Sequence, residues 1–99
     1  MSQLSVIDEH NWRLAGELSF ATVSDLLSEL CQRATQASPQ VIDFSEVTRT
    51  DSAGLALLIE IRKQSTMATA IFQHIPKQML ILANVCGVQS LLENIPVAQ

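Results

Sequence analysis

The chain has 99 residues, which predicts one domain over residues 1–99, because two separate hydrophobic cores would each be too small to be stable. Ten acidic residues against six basic ones give a formal net charge of -4, and the basic residues are scattered along the chain. Binding to nucleic acid requires a basic stripe that neutralises phosphates, so nucleic acid is not an expected partner.

The chain also shows no pattern for export or for insertion into a membrane. Asp8 and Glu9 stand near the N-terminus, where a secretion signal would carry basic and then apolar residues. The apolar runs are far shorter than the roughly 20 residues that cross a bilayer, so we expect a cytoplasmic protein with no direct membrane insertion. Cys31 and Cys86 are too few for a disulfide framework, and helical spacing predicts that both are reduced and buried.

Two strands are predicted at the start of the chain, over residues 4–8 and 11–18. In the second, apolar residues such as Trp12 and Leu14 alternate with polar neighbours at the period of two that is typical of a strand. The residues between the two segments are expected to form a hairpin turn.

A helix is predicted from Thr22, where the apolar period changes from two to that of a helix. Its apolar face consists of Val23, Leu26, Leu27, Leu30, Cys31 and Ala34. Thr22 and Asp25 have the spacing of a capping box, in which the threonine oxygen accepts from the Asp25 amide.

The middle of the chain predicts a strand, a loop and a second helix. Residues 41–44 resemble a buried central strand, and residues 45–50 are expected to form a loop. Asp51 or Ser52 can then cap a helix that runs to about Ser65.

Another strand and a third helix complete the predicted pattern. Residues 70–73 form the strand, which the preceding helix would make parallel to the strand at 41–44. Pro76 suits the first turn of the third helix and Gly87 its end, with one more short turn inside residues 89–95. This order predicts an α/β fold, a small mixed sheet of about four strands with helices packed on it.

The second helix has an unusual outward face. A projection at 100° per residue places one stripe toward the core, formed by Gly54, Leu57, Leu58 and Ile61. The opposite stripe holds Ser52, Ala56, Ile59 and Lys63. Apolar residues one and two turns beyond a helix-terminal serine suggest a surface that docks onto another protein, with Asp51 beside it.

Ser52 has two interpretations on these grounds. Its hydroxyl and the carboxylate of Asp51 can simply cap the helix. Alternatively, the Ser52 hydroxyl contacts a partner protein and fixes its position, or it accepts a phosphate. The positive end of the helix would tolerate the charge of that phosphate. Composition and spacing do not decide between these interpretations.

A family resemblance bears on this choice. The run from Val41 to Leu58, with Asp51-Ser52-Ala53-Gly54-Leu55 at its centre, resembles the signature of STAS domains, in which an apolar strand leads into such a motif and a helix. Gly16-Glu17-Leu18 is similar to the Gly-Glu-Leu of the same family. The resemblance implies a STAS fold and a protein-binding role for Ser52.

Two branches of this family are relevant. One contains the STAS subunit of the Mla phospholipid transport system, which binds the cytoplasmic ATPase of an ABC transporter that maintains outer-membrane lipid asymmetry. The segments 14–23 and 51–58 resemble this branch more closely, which implies a location at the inner face of the inner membrane through the partner. The other branch contains anti-sigma factor antagonists, in which Ser52 would be phosphorylated by an anti-sigma factor kinase.

The sequence predicts no catalytic residue, no cofactor and no metal ligand. Ser52 lacks the Gly-x-Ser-x-Gly elbow of a hydrolase and a histidine base nearby in sequence. His10 and His74 have no other ligands at metal-binding spacing, and the glycines form no phosphate-binding loop. We therefore expect a binding protein that is not an enzyme.

Overall fold

The computed structural model describes residues 3–92, and within this range four strands form one mixed sheet in the order β1-β2-β3-β4. The strands are β1 (Gln3–Val6), β2 (Asn11–Leu18), β3 (Val41–Thr50) and β4 (Ile71–Gln73). The helices are α1 (Val23–Ala34), α2 (Ser52–Lys63), α3 (Lys77–Cys86) and a short 3-10 helix (Gln89–Leu91). β1 is antiparallel to β2, whereas β2 with β3 and β3 with β4 are parallel. The predicted α/β fold is therefore confirmed, together with the parallel strands around α2.

The sheet has one face that is covered by helices. Trp12, Ile42 and Phe72 lie side by side on adjacent strands, are buried, and belong to the same hydrophobic cluster as the inward residues of the helices. Arg13 and Asp43, one position further along, point to the opposite face because successive strand residues alternate. The helices thus share one side of the sheet, and the other side carries Arg13 and Asp43.

The third strand is longer than predicted. Residues 45–50, which were expected to form a loop, continue β3 and pair with β2 as far as Leu18 and Thr50. The pairing of β2 with β3 contains two register shifts, one between Arg13 and Ala15 and one between Gly16 and Glu17. Its consequence is that β2 and β3 end together, and α2 begins at the second residue after Thr50.

Asp51 caps the start of α2, and Gly87 ends α3. A carboxylate oxygen of Asp51 accepts from the amide of Ala53 at 2.8 Å, so a side-chain cap at this position is confirmed. α2 ends at Lys63 and not at about Ser65. Gly87 ends α3 in the left-handed conformation with φ of 74°, as predicted.

The prediction of two buried cysteines is wrong for Cys86. Cys31 is half-buried, but Cys86 is exposed at the end of α3, although it shares the stripe of the buried Met79 and Ala83. Helical spacing gives the direction of a side chain but not whether another element lies opposite to it. At this last turn the thiol is left in contact with solvent.

Arg62 is a buried cation whose hydrogen bonds hold the end of α2 in place. Its guanidinium donates to the carbonyls of Leu91 at 2.9 Å, Ala68 at 3.1 Å and Ala70 at 2.6 Å. It also lies 3.9 Å from the centre of the Phe72 ring, which gives a cation–π contact. Loss of hydration on burial lowers the pKa of Arg62. These bonds tie α2 to the segment before β4 and to the 3-10 helix.

Candidate protein-docking site

The candidate site lies at the edge of the sheet where β2 and β3 end. Leu18 pairs with Thr50 at the last positions of the two strands, and the amide of Asp51 donates to the carbonyl of Leu18 at 3.2 Å. The turn that follows β2 and the first turn of α2 therefore leave the sheet next to each other. Ser52 is the first residue of α2 at this edge.

Ser52 is exposed, and it does not supply the helix cap. Asp51 makes the cap bond through its carboxylate, so this bond does not use the serine hydroxyl. The unpaired amides at the start of a helix carry positive partial charge, which favours an acceptor or an anion nearby. The geometry leaves the hydroxyl of Ser52 accessible to another molecule.

The outward stripe of α2 is mostly, but not wholly, as predicted. Ala56 and Lys63 are exposed beyond Ser52, and Lys63 Nζ lies 3.2 Å from Oε1 of Glu60. Ile59 is half-buried and packs against the hydrophobic core, so the expectation that it faces fully outward is wrong. The core stripe is confirmed, since Gly54, Leu57, Leu58 and Ile61 are all buried.

A shallow groove runs beside this stripe, between α1 and α2. Its lining is largely apolar and consists of Val23, Ser24 and Leu27 from α1 with Ala56, Leu57 and Glu60 from α2. Val23 and Leu27 are half-buried and pack against the core. The accessible apolar surface around Ala56 thus continues from α2 onto α1.

The turn after β2 is fixed by Thr22, although not in the predicted way. The Thr22 side chain makes no cap bond to its own helix, so the capping box with Asp25 is wrong. Instead Thr22 Oγ1 lies 2.9 Å from the carbonyl oxygen of Glu17 and accepts from the amide of Ser19 at 3.0 Å. The Thr22 amide also donates to the Ser19 carbonyl at 3.0 Å, which closes a tight turn.

Phe20 lies inside this turn and has 88% of its surface exposed. The sequence interpretation gave it no role. An aromatic residue directly after a strand end, flanked by Ser19 and Ala21, is the signal that could have singled it out.

The charges around this edge are mainly negative. Glu17 Oε2 lies 3.8 Å from Nε of Arg49, which is itself largely exposed. Asp51 is exposed, and its neighbours Glu17, Ser19, Arg49 and Thr50 line a small cleft with it. Two carboxylates and one guanidinium therefore line this cleft, which gives the edge an excess of negative charge.

A separate polar cluster lies on the open face of the sheet, around Asp43. The Asp43 carboxylate accepts hydrogen bonds from Arg13 Nε at 3.2 Å and from the Ser45 amide at 3.0 Å. It also lies 2.8 Å from Nδ1 of His74. Burial alone would raise the pKa of Asp43, but the hydrogen bonds from His74, Ser45 and Arg13 outweigh it and lower the pKa to about 2. The cluster is a stable ionic network on the face opposite to the helices.

Two further observations concern the described part of the chain. Within residues 3–92, no three His, Cys, Asp or Glu side chains are grouped so that they could hold a metal ion. Over the same residues, no helix has the length and apolar character needed to span a bilayer.

Comparison with known proteins identifies the family. The family model described as "Mlab, STAS domain" matches residues 8–93. The structure of the anti-sigma factor antagonist SpoIIAA in its unphosphorylated form is similar, with a TM-score of 0.66 and 16% identity over 97% of this chain and 89% of that one. The phosphorylated form of SpoIIAA, described as a Bacillus cell fate determinant, gives a TM-score of 0.62 and 17% identity over 97% and 92% of the two chains. No curated protein matches the chain.

Proposed function

Because the chain belongs to the STAS domain family and matches its MlaB-like model, we propose that it is a non-catalytic subunit that binds and supports the cytoplasmic ATPase of an ABC-type phospholipid transporter. In this proposal the protein is cytoplasmic and reaches the inner face of the inner membrane through its partner. Transport of phospholipid by such a system maintains the lipid asymmetry of the outer membrane.

The docking surface in this proposal is the outward face of the start of α2. We call it the Ser52 surface, and it consists of Asp51, Ser52, Ala56 and Lys63 with the exposed edge of Ile59. The observation that carries the proposal is that Ser52 is exposed while Asp51 alone caps the helix. Ala56, one turn further along, offers a small apolar contact that a closely packed partner can cover.

A binding role fits this surface better than catalysis. Members of the STAS family are generally non-catalytic binding domains. Both histidines of the chain are engaged away from Ser52: His74 contacts Asp43 on the open sheet face, and His10 contacts Glu9 in the turn before β2. Ser52 therefore has no histidine base in position to activate it.

The proposal is tested by measuring the affinity of the purified chain for the ATPase subunit of the phospholipid transporter encoded in the same genome. Ser52→Glu puts a longer side chain where the partner packs closely, so binding should weaken by at least about tenfold. Ser65→Glu, at another exposed serine near the far end of α2, is the matched control and should bind as the wild type does. Wild-type protein that does not bind the ATPase would contradict the proposal.

A second candidate function is an anti-sigma factor antagonist that is switched by phosphorylation of Ser52. It is supported by the shared fold with SpoIIAA, whose structures include a phosphorylated and an unphosphorylated form, and by the exposure of Ser52 at a helix start. Mass spectrometry of the protein from its native cells separates the two candidates. Stoichiometric phosphate on Ser52 favours the switch and an anti-sigma factor kinase as partner, whereas unmodified protein that co-purifies with the transporter ATPase favours transport.

A further inference from the structure

We propose that Phe20 is the apolar anchor of the Ser52 surface and inserts into an apolar, basic-rimmed pocket of the ATPase subunit. This inference rests on the proposed function, because it assigns a further contact to the same partner.

Phe20 follows the end of β2 as Ser52 follows the end of β3. It stands two residues beyond Leu18, and Ser52 stands two residues beyond Thr50, the strand partner of Leu18. The bond from the Asp51 amide to the Leu18 carbonyl at 3.2 Å holds the two chain segments together at this edge. A partner that covers Ser52 therefore reaches the neighbourhood of the phenyl ring.

The turn that carries Phe20 is held in place before any partner binds. Thr22 Oγ1 accepts from the Ser19 amide and lies 2.9 Å from the Glu17 carbonyl oxygen, and the amides of Thr22 and Val23 both donate to the Ser19 carbonyl at 3.0 Å. Because the backbone on both sides of Phe20 is fixed, little conformational entropy of the turn is lost on binding. The ring has few rotatable bonds, so its ordering costs little entropy, and it brings a large apolar area to an interface.

Phe20 contributes very little to the fold. With 88% of its surface exposed, it makes few contacts inside the chain. Single exposed apolar residues are common, so exposure alone assigns no function. Phe20 differs because it stands three residues before Val23, which lines the groove between α1 and α2 together with the apolar residues Leu27 and Ala56. In this inference Phe20 and the groove form one apolar patch for the partner.

The charge of this surface defines the chemistry of the partner's pocket. The two cations of this region each lie beside a carboxylate: Arg49 is 3.8 Å from Glu17, and Lys63 is 3.2 Å from Glu60. Asp25 in the first turn of α1 and Asp51 are exposed in addition, so the excess charge is negative. A pocket with basic side chains at its rim complements this surface.

A competing patch lies on α3, where Ile81 is 55% and Val85 is 78% exposed. Ile81 and Val85 lie on α3, whereas Phe20 stands two residues after Leu18, whose carbonyl accepts from the Asp51 amide at the Ser52 edge. Val85 is therefore a suitable control, since it is a similarly exposed apolar residue outside the patch.

The test compares Phe20→Ala with Val85→Ala in binding to the purified ATPase subunit. Phe20→Ala should weaken binding by at least about tenfold with an unchanged melting temperature, while Val85→Ala stays within about twofold of the wild type. Phe20→Trp should restore most of the affinity, and added salt should weaken wild-type binding because the rim charges are screened.

Each other outcome overturns the inference. If Phe20→Ala binds normally while Ser52→Glu does not, Phe20 is not the anchor, and the proposed function stands. If Val85→Ala is the variant that loses binding, the surface extends onto α3. A lower melting temperature of Phe20→Ala would place the ring in the fold, and wild-type protein that does not bind the ATPase would remove both proposals.

Discussion

Gly54, in the first turn of α2, lies directly against the hydroxyl group of Thr50, the last residue of β3. A Cβ atom on residue 54 would overlap Thr50 Oγ1 and would lie 3.2 Å from both Leu18 Cβ and Met79 Cε. Thr50 is buried, so the crowding cannot be relieved by moving a side chain into solvent. This close approach lets α2 start immediately after β3 and places Ser52 at the edge of the sheet.

Gly54→Ala should therefore destabilise the protein. In an exposed helix the same change would stabilise by about 1 kcal/mol, because glycine is a poor helix former. Here we expect overpacking against Thr50, Leu18 and Met79 to cost about 1–3 kcal/mol and to outweigh that gain. Urea unfolding measures the difference, and Ala56→Gly on the exposed side of α2 calibrates the helix propensity. A Gly54→Ala variant more stable than the wild type would contradict the packing described here.

Arg62→Lys should also be destabilising, although the charge is kept. A lysine ammonium cannot reach the carbonyls of Ala68, Ala70 and Leu91 in the planar geometry of a guanidinium, nor stack as well on Phe72. We expect a loss of about 2 kcal/mol in the free energy of unfolding, because buried carbonyls lose their partners. Thermal unfolding of Arg62→Lys tests this, with Arg33→Lys on the exposed side of α1 as the control. Equal losses in both variants would show that the buried contacts of Arg62 contribute nothing specific.

The network around Asp43 predicts a pH dependence. The pKa of Asp43 is lowered from 3.8 to about 2 in the folded state, so the folded protein holds this proton less tightly than the unfolded chain does. The resulting stability is fully present above pH 3.8 and is lost as the pH falls through about 2. The shift corresponds to at most about 2 kcal/mol.

Chemical unfolding of the wild type and of Asp43→Asn tests this over a range of ~3 pH units, from pH 5 to pH 2. The variant should be less stable at neutral pH, and the two stabilities should converge toward the acid end. Curves that stay parallel over this range would show that Asp43 does not carry the dependence.

Much of the fold could be predicted because each element has a clear local pattern. The alternation around Trp12 and Leu14 and the helical spacing after Thr22 gave the correct elements. The strand over residues 45–50 was missed because its pattern is irregular: the pairing with β2 shifts register twice, and such irregular pairing leaves no simple period in the sequence. The role of Thr22 was misjudged because a capping box and a backward bond to Glu17 use the same residue.

The sequence predicted which side of α2 faces outward, but not how exposed each residue on that side is. Ser52 and Ala56 face outward as expected, whereas Ile59 is half-buried, because a projection at 100° per residue does not show how closely neighbouring elements approach. Phe20 was overlooked because the contact between the end of β2 and the start of α2 depends on strand pairing over a long sequence distance. Arg62 follows Leu55 and Leu58 at i+7 and i+4, and this spacing on a core stripe was the signal of its burial.

Amide hydrogen exchange of the chain with and without the transporter ATPase tests the central claim most directly, because it locates the contact without a mutation. Our account predicts slower exchange on binding in the turn 19–22 and in the first half of α2, with no change around Arg13 and Asp43 on the open face of the sheet. Protection of the open face, with the turn and the start of α2 unchanged, would contradict it.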